Sequence, residues 1–210
     1  MPDTIVPASE SLSQPLVWPA EGPTRVPFRV YHDPEILKLE HERIFRGAVW
    51  NYLCMEIEIP NKGDFKTTFV GEIPVIVTHN RDGEIHAMVN RCAHKGALVC
   101  LTERGNKQRL SCVYHSWTYD LTGQLKAAPK IEERPGFAVK DCKLPSFPCE
   151  VWMGFIYVNL DQDAKLFAPQ VADLEAMIGP YHMEDMWLGY TGEAVWETNW
   201  KSMIENYMEG

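Results

Sequence analysis

The sequence lacks both a long hydrophobic run and a basic N-terminal leader. Its opening stretch, residues 1–19, is polar and proline-rich, without the basic start and apolar centre of a secretory signal. Elsewhere in the 210 residues no apolar run approaches the length that spans a membrane. These features predict a cytoplasmic protein with no membrane partner.

A run or cluster of basic residues is missing as well. The chain has 20 Lys and Arg against 29 Asp and Glu, which gives a formal net charge of −9 at pH 7. Nucleic-acid-binding proteins usually concentrate basic side chains on one face, so we expect no nucleic-acid partner. An acidic surface suits the docking of a basic redox protein, but it serves solubility equally well.

The chain also has no internal repeat and no low-complexity linker. Its hydrophobic content of 45% and its 23% of charged residues are typical of a folded globular protein. It contains six cysteines. In a reducing cytoplasm a disulfide framework is not expected, so Cys and His paired at short spacing indicate a metal site first.

The residue pattern predicts a mainly β fold that is α+β overall. Asp33 is a candidate helix cap with Pro34 at the first helical position, and further helical signals occur at residues 171–178 and 199–208. Between them the hydrophobic period changes from 3.6 to about two. The predicted strands cover residues 52–59, 64–70, 75–79, 84–89, 110–114, 117–120 and 150–159, with a further short strand that follows the turn at 121–123 and ends at Pro129.

Two short segments each carry one cysteine and one histidine. The first is Cys92-Ala-His94 and the second is Cys112-Val-Tyr-His115, with 17 residues between the two segments. Two thiolates can satisfy one ferric iron and two neutral imidazoles the other, which describes a Rieske-type [2Fe–2S] cluster. Such ligation raises the reduction potential to about −150 to +300 mV, against about −400 mV for plant-type clusters held by cysteines alone.

The same donor set can also hold a structural zinc ion. Zinc sites usually open with two cysteines two to four residues apart and close with two histidines, whereas here each segment mixes the two residue types. The mixed order favours the cluster over zinc and over four unrelated core residues. The other cysteines are predicted to be small buried hydrophobic residues.

Residues 90–125, NRCAHKGALVCLTERGNKQRLSCVYHSWTYDLTGQL, resemble the Rieske domain of ring-hydroxylating oxygenase α subunits. The resemblance extends from Thr24 to the end of the chain, although Lys95 stands where Arg is commoner and Ser116 where Gly is commoner. It implies an N-terminal arm and helix over residues 1–39 and a Rieske domain of small antiparallel sheets over 40–160. Residues 161–210 would begin an α+β catalytic domain.

The end of the chain resembles the N-W-K-x-x-x-E-N segment that leads into the catalytic iron site of these oxygenases. The resemblance implies that Glu209 is a carboxylate that bridges a Rieske histidine of one subunit and an iron-ligating histidine of its neighbour. Spacing alone predicts only an amphipathic helix on which Glu209 shares a solvated face with Asn206. The mononuclear Fe(II) ligands, two histidines and a carboxylate, are expected beyond this segment, so the 210 residues should transfer electrons without hydroxylating anything.

The resemblance implies a functional setting for the cluster. An NADH-dependent reductase, with or without a ferredoxin, would supply electrons for O2-dependent hydroxylation in a homotrimer or an α3β3 assembly. An aromatic acid such as terephthalate, anthranilate or salicylate is the expected substrate, with a quaternary ammonium compound as the alternative. A freestanding Rieske ferredoxin fits the motif equally well but leaves the flanking residues unexplained, and a zinc-stabilised binding module remains a third hypothesis.

Overall fold

The computed structural model describes residues 12–131 and 134–209, so residues 1–11 of the predicted arm lie outside the described residues. The chain divides into two compact units. The helical unit combines the described residues up to Ile44 with those from Tyr190 onward, and the sheet unit is Phe45–Gly189. The helical unit therefore joins segments from opposite ends of the sequence.

The first helix of the helical unit begins as the sequence predicts. Helix α1, Pro34–Glu40, has Asp33 as its cap, and the Asp33 carboxylate accepts a hydrogen bond from the Glu35 amide at 2.8 Å. Pro34 occupies the first turn, where its missing N–H costs nothing. After Glu40 the chain continues as one π-helical turn, His41–Phe45.

The last helix, α3, is Trp200–Met208, and the side chain of Asn199 caps it by accepting from the Lys201 amide at 3.0 Å. Two of its residues contact one carboxylate of α1. The Trp200 indole N–H donates to Glu40 at 2.8 Å, and the Lys201 ammonium donates to Glu40 at 2.6 Å. Glu40 is only 9% exposed, so these two donors stabilise a carboxylate that would otherwise be buried without a partner.

The sheet unit contains eleven strands among its described residues. They are β1 Trp50–Met55, β2 Asp64–Val70, β3 Ile73–His79, β4 Ile85–Val89, β5 Arg104–Asn106, β6 Leu110–Ser111, β7 Thr118–Tyr119, β8 Leu125–Ala127, β9 Ser146–Phe147, β10 Cys149–Trp152 and β11 Phe155–Asn159. A short helix, α2, spans Ala172–Ile178. This composition confirms the predicted mainly β fold.

The strands form three small antiparallel sheets. Their orders are β1-β11-β10, β5-β2-β3-β4-β9 and β6-β7-β8. One group of buried side chains, which includes Phe65, Met88 and Leu144, packs around the third sheet, and a second group lies between β1, β3 and β11. The third sheet is the smallest, and it depends on the first group of buried side chains for its position.

Three features of the predicted strands need correction. The strand predicted over 52–59 ends at Met55 and is followed by a short 3-10 helix, Glu56–Glu58. The single β stretch predicted at residues 150–159 is a hairpin of β10 and β11 that turns at Met153 and Gly154, both with positive φ. The strand predicted over 110–114 ends at Ser111, because the backbone then turns at Cys112. Within the described ranges, no helix is both long and apolar enough to cross a membrane.

Candidate functional site

The two predicted cysteine–histidine segments form loops with the same backbone closure. In the first loop, residues 92–97, the Gly96 amide donates to the Cys92 carbonyl at 2.9 Å and the Cys92 amide donates to Ala97 at 2.8 Å. The second loop, residues 112–117, has the same two bonds. The Ser116 amide donates to the Cys112 carbonyl and the Cys112 amide donates to the Trp117 carbonyl, both at 2.9 Å. Each cysteine is therefore held at the start of a closed turn.

The fifth residue of each loop has a left-handed backbone. Gly96 has φ of 73°, and Ser116 has φ of 59°. Glycine adopts this conformation freely, while a residue with a Cβ atom is strained there by about 1–2 kcal/mol. This strain explains why glycine is commoner than serine at the position of Ser116 in the family that the chain resembles.

The thiols lie inside the protein and the imidazoles lie towards its surface. Cys92 is 4% exposed and Cys112 is 3% exposed, and both belong to the group of buried side chains around the third sheet. His94 is half-buried and His115 is exposed. A cluster bound by these residues would have its sulfur-ligated side in the core and its histidine side accessible to an electron-transfer partner.

Aromatic contacts hold the two imidazoles side by side. The ring centroids of His94 and His115 are 4.6 Å apart. The indole of Trp117 stacks on His94 at 4.8 Å with an interplanar angle of 6°, and Tyr114 lies 3.8 Å from His115. The fold therefore places side by side two histidines from loops that are separate in the sequence.

The donor atoms fit a metal cluster. The Nδ1 atom of His94 is buried and has no hydrogen-bond partner among the described residues. Burial lowers the pKa of His94 below its usual value, and the charges of His115 and Lys95 lower it further. A neutral imidazole with an unpaired buried nitrogen is what iron ligation requires, since a buried polar atom without a partner is otherwise unfavourable.

The donors of the two loops divide into two pairs by residue type. Cys92 and Cys112 supply two buried thiols, and His94 and His115 supply two adjacent imidazoles. A structural zinc ion needs four donors at one point. A Rieske cluster needs only a pair of thiolates on one iron and a pair of imidazoles on the other.

Tyr119 is a residue of the site that the sequence analysis missed. It is fully buried, and its hydroxyl lies 3.2 Å from the Cys92 sulfur while accepting from the Ala93 amide at 3.1 Å. Burial and the hydrogen bond with Cys92 both raise the pKa of Tyr119, so its hydroxyl keeps a proton to donate to the sulfur. The available signal was its place in the strand predicted over 117–120, where it shares a face with Trp117 two residues earlier.

Asn90 is a second missed residue, and it braces the end of the first loop. Its side-chain oxygen accepts from the amides of Val99 and Cys100 at 3.1 and 2.9 Å, and its side-chain amide donates to the Cys100 carbonyl at 2.9 Å. Asn90 is 3% exposed, so these bonds satisfy a buried polar group. Nothing in its local sequence distinguishes it from a surface asparagine.

Glu209 is described in the helical unit, whereas the two loops belong to the sheet unit. It follows α3 as the C-terminal cap residue, and its amide donates to the Glu205 carbonyl at 3.1 Å. Its side chain is exposed, as is that of Asn206. The helix on which spacing placed Glu209 is confirmed, and its bridging role remains a prediction.

Comparison with known proteins identifies the sheet unit's central part. Residues 49–148 match the family model described as the Rieske [2Fe-2S] domain. The chain carries a Rieske [2Fe–2S] domain. The predicted cofactor is thereby confirmed for the domain, and the loops described above are the cysteine–histidine segments within it.

Two curated relatives of the chain are oxygenase subunits. Anthranilate 1,2-dioxygenase large subunit from Burkholderia cepacia is 38% identical over 201 residues, which cover 90% of this chain and 47% of that protein. The terephthalate 1,2-dioxygenase terminal oxygenase component subunit alpha 2 from Comamonas sp is 39% identical over 170 residues, covering 78% and 40%. The chain spans less than half the length of these two relatives, and it resembles the α subunits of ring-hydroxylating oxygenases as predicted.

A solved structure shares the fold. A quaternary ammonium Rieske monooxygenase, reported with carnitine oxidation and inter-subunit electron transfer, superposes with a TM-score of 0.77 at 25% identity. The match covers 86% of this chain and 50% of that chain. It supports the assignment of the small antiparallel sheets to the Rieske oxygenase fold.

The left-handed turn of the first loop predicts opposite effects for two Gly→Ala substitutions. A Cβ atom would meet nothing within 4 Å at either Gly96 or Gly189, but only Gly96 has its φ in the left-handed region. Gly96→Ala should lower the free energy of unfolding by about 1 kcal/mol through backbone strain. Gly189→Ala should raise it by about 0.4–1 kcal/mol, because alanine restricts the unfolded chain. Denaturant unfolding measures both, and equal effects of the two substitutions would contradict the strain at Gly96.

Proposed function

We propose that this chain is the electron-receiving part of a Rieske oxygenase α subunit. The observation that carries the proposal is the pair of closed loops, with two thiols in the core and two adjacent imidazoles at the surface. The four cluster ligands in this proposal are Cys92, His94, Cys112 and His115. When bound, a Rieske cluster takes up and releases one electron.

The protein's own residues prepare that site in three ways. The buried sheet around β7 excludes water from the thiols, and the neutral state of His94 leaves a nitrogen free to bind metal. Tyr119 holds a proton at its hydroxyl, 3.2 Å from the Cys92 sulfur. The exposed ring of His115 offers an edge through which an electron can leave towards a second site.

We further propose the domain division that the resemblance implied, with residues 40–160 as the Rieske domain and 161–210 as the start of the catalytic domain. Large apolar side chains are unusually exposed after residue 186. Trp187 is 91% exposed, Tyr190 87% and Val195 98%. Such a concentration of exposed apolar side chains within one short stretch of chain supports a catalytic domain that covers this stretch in the full-length enzyme.

Glu209 is proposed as the carboxylate that bridges the cluster and the mononuclear iron site. The helix that ends at Glu209 is anchored within its unit, because the Tyr31 hydroxyl donates to Glu205 at 2.9 Å and the side chain of Asn199 donates to the Tyr31 carbonyl at 3.1 Å. An anchored helix can present a terminal carboxylate at a defined position. A hydrogen bond from each flanking histidine would then fix its tautomer.

The proposed reaction of the full-length enzyme is O2-dependent hydroxylation of an aromatic acid. The anthranilate and terephthalate dioxygenase subunits among its relatives support this class, and the solved quaternary ammonium monooxygenase supports the alternative. We propose that the enzyme is cytoplasmic and that an NADH-dependent reductase supplies its electrons, with or without a ferredoxin. The proposed assembly is a homotrimer or an α3β3 complex. Substrate-dependent NADH oxidation, screened over both substrate classes with the full-length enzyme, decides between them.

Metal analysis tests the ligand set. Anaerobically purified protein should contain two irons and two acid-labile sulfides and should show a Rieske EPR signal on reduction, whereas Cys112→Ser should contain neither. The control is Cys149→Ser, since Cys149 is a half-buried cysteine outside the loops. Zinc without sulfide would overturn the cluster proposal. Rapid passage of electrons to a separate oxygenase would favour a freestanding ferredoxin instead.

Tyr119→Phe should lower the midpoint potential of the cluster. Removing the hydroxyl removes a hydrogen bond to the Cys92 sulfur, and such bonds stabilise the extra negative charge of the reduced state. A differential contribution of about 1–1.4 kcal/mol corresponds to about 40–60 mV for one electron. Redox titration followed by EPR measures the shift. An unchanged potential in a variant with full iron content would show that the hydroxyl does not act on the cluster.

Glu209→Gln should slow electron transfer between the two metal sites of the full-length enzyme by about 10–100-fold, the usual cost of losing such a carboxylate. The iron and sulfide content should stay the same, because the substitution changes none of the four proposed cluster ligands. Single-turnover oxidation of the reduced cluster in the presence of substrate and O2 measures the rate. A wild-type rate would leave Glu209 as an ordinary solvated residue.

A further inference from the structure

A basic patch lies on the sheet unit of this otherwise acidic chain. Two adjoining depressions, of about 360 and 290 Å³, share Arg81 and Gln108 in their lining. The basic residues that line them, which together define the basic patch, are Lys62, Arg81, Lys107, Arg109 and Lys126. All five side chains belong to exposed residues.

Most of the positive charge in the basic patch is uncompensated. The acidic residues in the same lining are Asp82 and Asp120, and Asp120 forms an ion pair with Lys126 at 2.9 Å. Within the described part of the chain, the other four basic residues form no ion pair. The patch therefore carries a positive potential, although the chain as a whole has a net charge of −9.

One side of the basic patch, formed by Arg109 and Lys126, lies next to the third sheet, which also carries parts of the site. Arg109 precedes Cys112 by three residues, which places the two within about 11 Å along the chain. Asp120, in the wall of the larger depression, directly follows Tyr119, whose hydroxyl contacts the Cys92 sulfur. The wall of the larger depression thus adjoins, in sequence, the tyrosine that contacts the first cysteine.

We propose that the basic patch docks an acidic electron-transfer protein that reduces the cluster. This inference rests on the proposed function, because it gives the cluster its donor. Docking serves the transfer of one electron from the reduced donor to the oxidised cluster. The donor is thereby oxidised and the cluster reduced, and no bond is made or broken. A positive patch on an acidic protein orients a negatively charged donor, since the rest of the surface repels it.

The charges favour an acidic protein over a nucleic acid as the occupant. A nucleic acid is extended, so its phosphates would reach beyond the patch and be repelled by the net negative charge of the chain. A compact protein needs to cover only the patch. The carboxylate of Asp82 inside the patch can pair with a basic residue of a protein partner, but it would repel a phosphate. Nucleic-acid binding is therefore an outcome of the test that would overturn the proposal.

The test compares two double charge reversals in the whole chain. Lys62→Glu with Arg81→Glu removes two exposed charges of the patch that lie away from the cysteine loops. Lys140→Glu with Lys165→Glu makes the same change in net charge at exposed lysines that line neither depression. The probe is a plant-type [2Fe–2S] ferredoxin with a net negative charge.

Two measurements are made at low ionic strength. Calorimetric titration with the oxidised ferredoxin gives its affinity, and stopped-flow mixing with the reduced ferredoxin gives the rate of cluster reduction. The patch variant should bind at least about tenfold more weakly and be reduced at least about tenfold more slowly, and the difference should vanish at high salt. The control variant should stay within about twofold of the wild type.

Equal affinities of the two variants for the ferredoxin would overturn the docking proposal. The proposal would also be overturned if the patch variant alone lost affinity for a DNA or RNA oligonucleotide. The calorimetric result does not require a cluster, so it tests the patch even when metal analysis fails. A wild-type protein without a Rieske EPR signal would overturn the proposed function. A protein with that signal and with unchanged ferredoxin binding would overturn the docking proposal alone.

Discussion

The hydrogen bonds that close each loop onto its own cysteine are the constraint on which the site depends. They fix Cys92 and Cys112 at equivalent points of two turns, and each turn needs a left-handed residue at Gly96 or Ser116. Because the turns are closed, the histidine that follows each cysteine is directed to the surface while the thiol remains in the core. The pairing of buried sulfur with accessible imidazole, which a Rieske cluster uses for electron transfer, thus begins with the backbone.

The surroundings of the loops adjust the chemistry of their donors. Trp117 stacks on His94 and is itself buried, so the imidazole is held in a less polar environment that favours its neutral form. On the other side of the site, Tyr119 offers a proton to the Cys92 sulfur, where it stabilises negative charge. A neutral histidine and a hydrogen-bonded thiolate both favour a cluster potential above that of clusters held by cysteines alone.

Local patterns predicted the secondary structure well where one face of a strand or helix is regularly apolar. Strand β2 has the predicted bounds, and Asp33 caps α1 as its position before Pro34 indicated. Strands β5 and β9 were missed, because Arg104–Asn106 and Ser146–Phe147 are too short to show an alternating pattern. These two strands form because each pairs with an inner strand at the edge of the same sheet. Their conformation is therefore set by the tertiary structure and not by their own sequence.

The sequence by itself determined the class of cofactor, which the family match confirms. It also predicted four ligands, which stay a prediction, because the donors of a Rieske cluster lie within two short loops whose spacing is local. Only the tertiary structure revealed Tyr119 and Asn90 as parts of the site, since each acts through a contact with a residue distant in sequence. The same holds for the basic patch. No run of basic residues exists in the sequence, but the fold gathers Lys62, Arg81 and Lys107 from three separate connections between strands. Charge adds up in space and not along the chain, so a surface of this kind could not be predicted from composition.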